Sequence, residues 1–153
     1  MVQVAAATDP QAVMPWLGMR PVARAGSRTR GAVAYLNGLA AEERVIGRYR
    51  EQGALLLHRR WRCAAGEIDL IFALGDLVVF VEVKASRDLA QAVTRLGAGQ
   101  AARILRAAEV FLATTAAPWQ SARIDLALVA HGSGQGSGTE ILPDVLWQDG
   151  IAA

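Results

Sequence analysis

The stretch Gly66–Ser86, GEIDLIFALGDLVVFVEVKAS, sets Glu67, Asp69, Glu82 and Lys84 into the most apolar part of the chain. Gly66–Phe72 and Leu77–Ala85 read as strands, because Val, Ile, Leu and Phe suit a pleated, half-buried surface. Leu74-Gly75-Asp76-Leu77 closes them into a hairpin, since glycine at the first central position favours a type II′ turn. In the register that this turn fixes, Asp69 faces Glu82 and Glu67 faces Lys84, and the period of two places all four on one face of the sheet. Like charges set opposite each other destabilise a sheet. Asp69 and Glu82 therefore need a shared proton, a neighbouring cation or a bound metal. Lys84 gives part of that relief, and Mg²⁺ or Mn²⁺, which favour oxygen ligands, would complete it. Lys84 is the single lysine in a chain with fifteen arginines. Of the two side chains only lysine both carries a charge and shifts its pKa readily.

The flanking segments support the same site. From about Arg30 to Gln52, Tyr35, Leu39, Ile46 and Tyr49 recur at helical spacing, and Gly53 suits a helix C-terminus. Glu42 falls inside that apolar stripe and Glu43 at its edge, so the first helix turns a carboxylate toward the sheet. ALLLHRRW, residues 54–61, reads as a short strand. Leu89 to about Thr114 reads as a second helix, with N-cap candidates in Ser86-Arg87-Asp88 and weak points at Gly97 and Gly99. Gln100 lies in line with Val93, Leu96, Ile104, Ala107 and Phe111. After Pro118, ARIDLALVA forms a fourth strand, and TEIL a short fifth beyond the flexible connector HGSGQGSG. Helix, three strands, helix and strand predict an α/β fold with a mixed sheet covered on both faces.

Length and composition bound the rest. A chain of 153 residues fits one domain, taken as 29–153, after an N-terminal extension, 1–28, expected to be poorly ordered. The single cysteine, Cys63, suits a reducing compartment, most simply the cytoplasm, and reads as a small packing residue. No apolar run approaches the ~18 residues that span a bilayer, and the N-terminus lacks the pattern of a secretory signal. Residues 1–62 carry a net charge of +6 and residues 63–153 a net charge of −4. Such a division fits a polyanion-binding surface beside a cation-binding or catalytic site, or a solvated arginine-rich face. Trp61, between Arg60 and Arg62 with Arg59 nearby, either stacks on a base or belongs to the core.

GLAAE (38–42), GEIDLI (66–71), VFVEVK (79–84) and RIDLALV (123–129) resemble successive blocks of the YraN-like family of small bacterial proteins. That family is regarded as related to Holliday-junction resolvases and the PD-(D/E)XK nuclease superfamily. The resemblance covers about Arg30 to Leu146. It implies a restriction-endonuclease-like α-β-β-β-α-β core, with Asp69 and Glu82 as ligands of Mg²⁺ or Mn²⁺, and Lys84, Glu42 and Gln100 in catalytic positions. It implies a metal-dependent endonuclease acting on DNA, branched or otherwise structured, in which Lys84 orients or deprotonates the attacking water. The alternative is a nucleic-acid-binding module of the same fold that cleaves little or nothing. A homodimer is compatible with either. Ile68 rather than proline precedes Asp69, which is the family's own form, and Gln100 stands where many relatives have lysine.

Overall fold

The computed structural model describes residues 25–86, 96–116, 119–131 and 138–146. The extension up to residue 24, the expected helical segment 89–95 and most of the glycine-rich connector lie outside the described residues. Seven elements follow in order: α1 (Ala25–Glu51), β1 (Leu55–Cys63), β2 (Gly66–Leu74), β3 (Leu77–Ser86), α2 (Ala98–Thr114), β4 (Ser121–Ala130) and β5 (Thr139–Leu142). The first turn of α1 takes in residues 25–28, which the sequence reading assigned to the extension. Leu96 and Gly97, expected inside the second helix, are not helical, and Gly97 is the N-cap of α2 with an extended backbone. Two glycines in three positions there weaken a helix at its start, so Gly97 caps instead of continuing.

The five strands form one mixed sheet in the order β1-β2-β3-β4-β5. Only β3 and β4 run parallel; the other neighbours are antiparallel. That single parallel pair is what the α2 crossover between β3 and β4 requires. The β2–β3 hairpin has the expected register, from Leu74↔Leu77 to Leu70↔Val81. Gly75 at its tip has φ +59, the left-handed value that the first central position of a type II′ turn needs. Along β3, alternate residues serve two cores: Val79 and Val81 pack on the α1 side with Ile46 and Tyr49, while Val78 and Phe80 pack on the α2 side with Ile104 and Phe111.

On the α1 side one polar network sits inside the apolar layer. Asp125 of β4, wholly buried at 0% exposure, accepts a bond from Tyr49 Oη at 2.5 Å. Arg123 adds two, at 2.8 and 3.0 Å, and the backbone N–H of Asp144 a fourth at 3.0 Å. The Tyr49 ring stacks on Phe72 at 4.4 Å between centroids. Burial and the adjacent carboxylate raise the Tyr49 phenol far above its ordinary pKa, so it stays a donor. This network ties α1, β4 and the segment after β5 together. Among the described residues no helix is long and apolar enough to cross a membrane.

Removing the two members of this network should not cost the same. Tyr49→Phe leaves Asp125 with its arginine and backbone partners, so urea unfolding should report a loss of about 1 kcal/mol. Asp125→Ala strands Arg123 and the Tyr49 hydroxyl, and a loss of about 3 kcal/mol or more is expected.

Candidate metal centre at the opening of the hairpin

The site forms where regular pairing stops. The β2–β3 ladder ends at Leu70↔Val81, one step before Asp69 and Glu82 would meet as a pair. Instead, Asp69 Oδ2 accepts the backbone N–H of Val83 at 2.8 Å. The carboxylate thus takes the place of a ladder acceptor and is held inward at the split between the strands.

The alternation of faces also breaks there. Leu70 belongs to the core on the α1 side and Ile68 to the core on the α2 side, although residues two apart on a strand ordinarily share a face. On the neighbouring strand the same break falls at Arg60. Arg59 reaches Glu43 of α1, whereas Trp61 packs edge-on against Phe111 of α2, 5.3 Å between centroids. Arg60 itself has φ +48, a conformation that costs a non-glycine residue on the order of 1 kcal/mol or more. The positive φ turns Arg60 to the α1 side beside Arg59. It donates from Nε at 3.1 Å and from its terminal nitrogen at 2.7 Å to a single oxygen, Oε1, of Glu42.

Glu82 and Lys84 share a face of β3, as period two requires. Lys84 Nζ donates to Glu82 Oε1 at 2.7 Å and to Gln100 Oε1 at 2.9 Å. Gln100, in the first turn of α2, returns a bond from Nε2 to the same Glu82 oxygen. A closed triangle of lysine, glutamate and amide results. Its three bonds fix Lys84 at the rim of the acidic pair and leave Glu82 Oε2 without a hydrogen bond from a described residue.

The structure brings Asp69, Glu82, Lys84 and Gln100 together, with Glu42 close enough to act on Asp69. It corrects the placement of Glu67. With the ladder open, Glu67 does not partner Lys84; it pairs with Arg62, its neighbour across β1. Glu42 is buried at 5% exposure and Glu82 at 7%, so the helix stripe correctly turned Glu42 inward. Trp61 is partly buried and packs against the core on the α2 side, and Arg59, Arg60 and Arg62 each hold a carboxylate.

Electrostatics single out Asp69. Burial pushes its carboxyl up, repulsion from Glu82 and then Glu42 adds to the rise, and the Val83 N–H and Lys84 only partly oppose it, leaving it at about 7. Glu82 has Lys84, and Glu42 has Arg60. Asp69 has no cation of its own among the described residues. A hard divalent ion fits this donor set, because Mg²⁺ is ordinarily bound through one or two carboxylates, with waters and substrate phosphates supplying the other oxygens. Among the described residues no three His, Cys, Asp or Glu side chains form a ready-made cage, so Asp69 and Glu82 would hold it as a pair.

Two residues in or near this layer escaped the sequence reading. Arg60 was one of a basic run, and nothing in its type marks a positive φ. Asp125 carries the same signal as Asp69, a carboxylate inside an apolar strand; Arg123 is near it in sequence, but its other partners come from α1 and from beyond β5 and are not visible in its own segment.

A raised carboxyl makes stability depend on pH with a definite sign. Between its unfolded value near 4 and about 7 the folded state binds the extra proton at Asp69, so stability falls as pH rises through that window. Urea midpoints at pH 5 and pH 8 should show the wild type losing on the order of 2 kcal/mol more than Asp69→Asn. Equal losses would mean that Asp69 is not held protonated.

Comparison with known proteins agrees with these blocks. The profile of the uncharacterised protein family UPF0102 matches residues 41–129, which include Glu42, Asp69, Glu82, Lys84, Gln100 and Asp125. A UPF0102 protein of Ruegeria pomeroyi is 53% identical over 85 residues, 56% of this chain and 69% of that protein. One from Dinoroseobacter shibae is 44% identical over 118 residues, covering 76% of this chain and 87% of its own. Another, from Azorhizobium caulinodans, is 46% identical over 87 residues, 57% of this chain and 66% of its own. With the family profile covering more than half of its length, and a relative matched over most of both chains, the protein belongs to the UPF0102 family.

Proposed function

We propose that this protein is a metal-dependent endonuclease acting on DNA, with branched or otherwise structured DNA as substrate and Mg²⁺ or Mn²⁺ as cofactor. The observation that carries the reading is the pair of half-buried Asp69 and buried Glu82, each with an oxygen free of hydrogen bonds from described residues, flanked by the chain's single lysine. The order α1-β1-β2-β3-α2-β4 around a mixed sheet supports a restriction-endonuclease-like core.

When bound, the metal supplies charge neutralisation at the scissile phosphate and a water acidic enough to attack it near neutral pH. The side chains do the rest. Asp69 and Glu82 would hold the cation, with Asp69 in its ionised form, since a ligating carboxylate must be ionised. Gln100 holds Glu82 and Lys84 in one triangle, so the ammonium cannot drift from the acidic pair. From there Lys84 orients the attacking water, or stabilises the negative charge that grows on the phosphate oxygens. Glu42, close enough to act on Asp69, extends the negative field that draws a cation in.

The test is cleavage of linear, flapped and four-way-junction DNA with and without Mn²⁺. Wild type should cut only with metal, and Asp69→Ala, Glu82→Ala and Lys84→Ala should each lose about 10²-fold or more. Equal cutting by wild type and all three variants would overturn the site. Salt-sensitive DNA binding that survives Asp69→Ala, with no cutting by wild type, would instead indicate a binding module.

A further inference from the structure

Arg60 is held in an uncommon way. Its backbone lies at φ +48 in the middle of a strand, and that turn carries its guanidinium to Glu42. Both of its bonds fall on Glu42 Oε1, in place of the two-oxygen fork that makes the firmest arginine–carboxylate pairs. Glu42 Oε2 takes no hydrogen bond from a described residue. The two partners also differ in their access to water: the Glu42 side chain is 6% exposed, the Arg60 side chain 32%. The guanidinium lies 5.3 Å from the centre of the Tyr35 ring, and Tyr35 is 54% exposed.

Arg60 and Lys84 therefore close the two ends of a row of acids. In order of contact and influence the row runs Lys84, Glu82, Asp69, Glu42, Arg60, three negative positions between two positive ones. Lys84 is locked by two partners. Arg60 has one hydrogen-bonding partner and a partly exposed side chain resting on an exposed tyrosine, which makes it the end that can move. A guanidinium fork matches a phosphate as well as it matches a carboxylate.

We infer that Arg60 is a displaceable counter-ion: it neutralises Glu42 until a divalent cation settles at Asp69 and Glu82, and then leaves Glu42 for a phosphate of the bound DNA. This role rests on reading the acidic pair as a metal-dependent nucleic-acid site. It links metal loading to substrate grip through one side chain. The strained φ of Arg60 fits such a role, since residues held in sparsely populated conformations cluster at ligand clamps and switch regions.

The experiment is Mn²⁺ titration of Arg60→Gln, Glu42→Gln and the double variant without DNA, with melting curves to show that each is folded. Arg60→Gln should bind Mn²⁺ about 3- to 10-fold more tightly than wild type, the effect of removing one nearby positive charge at the protein surface. Arg60→Gln should change Mn²⁺ binding less in the Glu42→Gln background than in the wild type, because without the Glu42 carboxylate the guanidinium is no longer held beside the acids. Four-way-junction DNA is then titrated in EDTA and in Ca²⁺. The gain in affinity that Ca²⁺ gives the wild type should shrink about 5-fold or more in Arg60→Gln, with the salt slope in Ca²⁺ lower by about 1. Arg60→Lys should recover the charge but only part of this gain, because it lacks the fork. Weaker or unchanged Mn²⁺ binding by folded Arg60→Gln would overturn the role and leave Arg60 a structural clamp. Asp69→Asn separates the two levels. If it abolishes Mn²⁺ binding while Arg60→Gln changes nothing, only the Arg60 role falls. If Asp69→Asn binds Mn²⁺ like wild type, the metal site falls with it.

Discussion

A carboxylate taken out of water must find a proton, a cation or N–H donors, and the cost of finding none runs to several kcal/mol per ion. Around Asp69 that requirement shapes the local fold. The Val83 N–H is given to its side chain instead of to a ladder carbonyl, and the hairpin opens at that point. Glu82 is neutralised by Lys84 and Glu42 by Arg60, while the acid between them stays raised to about 7. The protein thus holds a buried negative site whose neutralisation its own described side chains leave incomplete.

The remainder of the architecture keeps that site in place. Apolar layers on both faces of β2 and β3 fix the strands as far as Leu70 and Val81. The Asp125 network binds α1 to β4 from within the core, and so sets the position of Glu42 two turns earlier on the same helix. On the opposite face, Ile104, Ala107 and Phe111 seat α2, and its first turn delivers Gln100 to the Glu82–Lys84 pair. Two buried polar assemblies serve different ends. The one at Asp125 is saturated with four donors; the one at Asp69 is left open on its outer oxygens.

Much of this was legible in the chain itself. Gly75 fixed the turn, the turn fixed the register, and the register placed Asp69 and Glu82 at one level of the sheet. Helical spacing turned Glu42 and Gln100 inward, as found. What local pattern could not show is where the ladder stops. Simple alternation predicts Glu67 opposite Lys84, yet an open split sends Glu67 to Arg62. The facing of Arg60 was hidden for a related reason: a positive φ in a non-glycine residue is imposed by its surroundings, here the pull of Glu42 on α1, and no residue type announces it. For Trp61 the basic neighbours left base stacking and core packing equally open; each of those arginines answers a carboxylate brought close by the fold, and the indole packs against Phe111.

The central claim is that a divalent cation completes the Asp69–Glu82 pair. Crystals grown with Mn²⁺ and measured for anomalous scattering would test it most directly. A peak is predicted within bonding distance of the Asp69 and Glu82 carboxylates. A well-ordered site without such a peak, or manganese bound only elsewhere on the surface, would contradict the account.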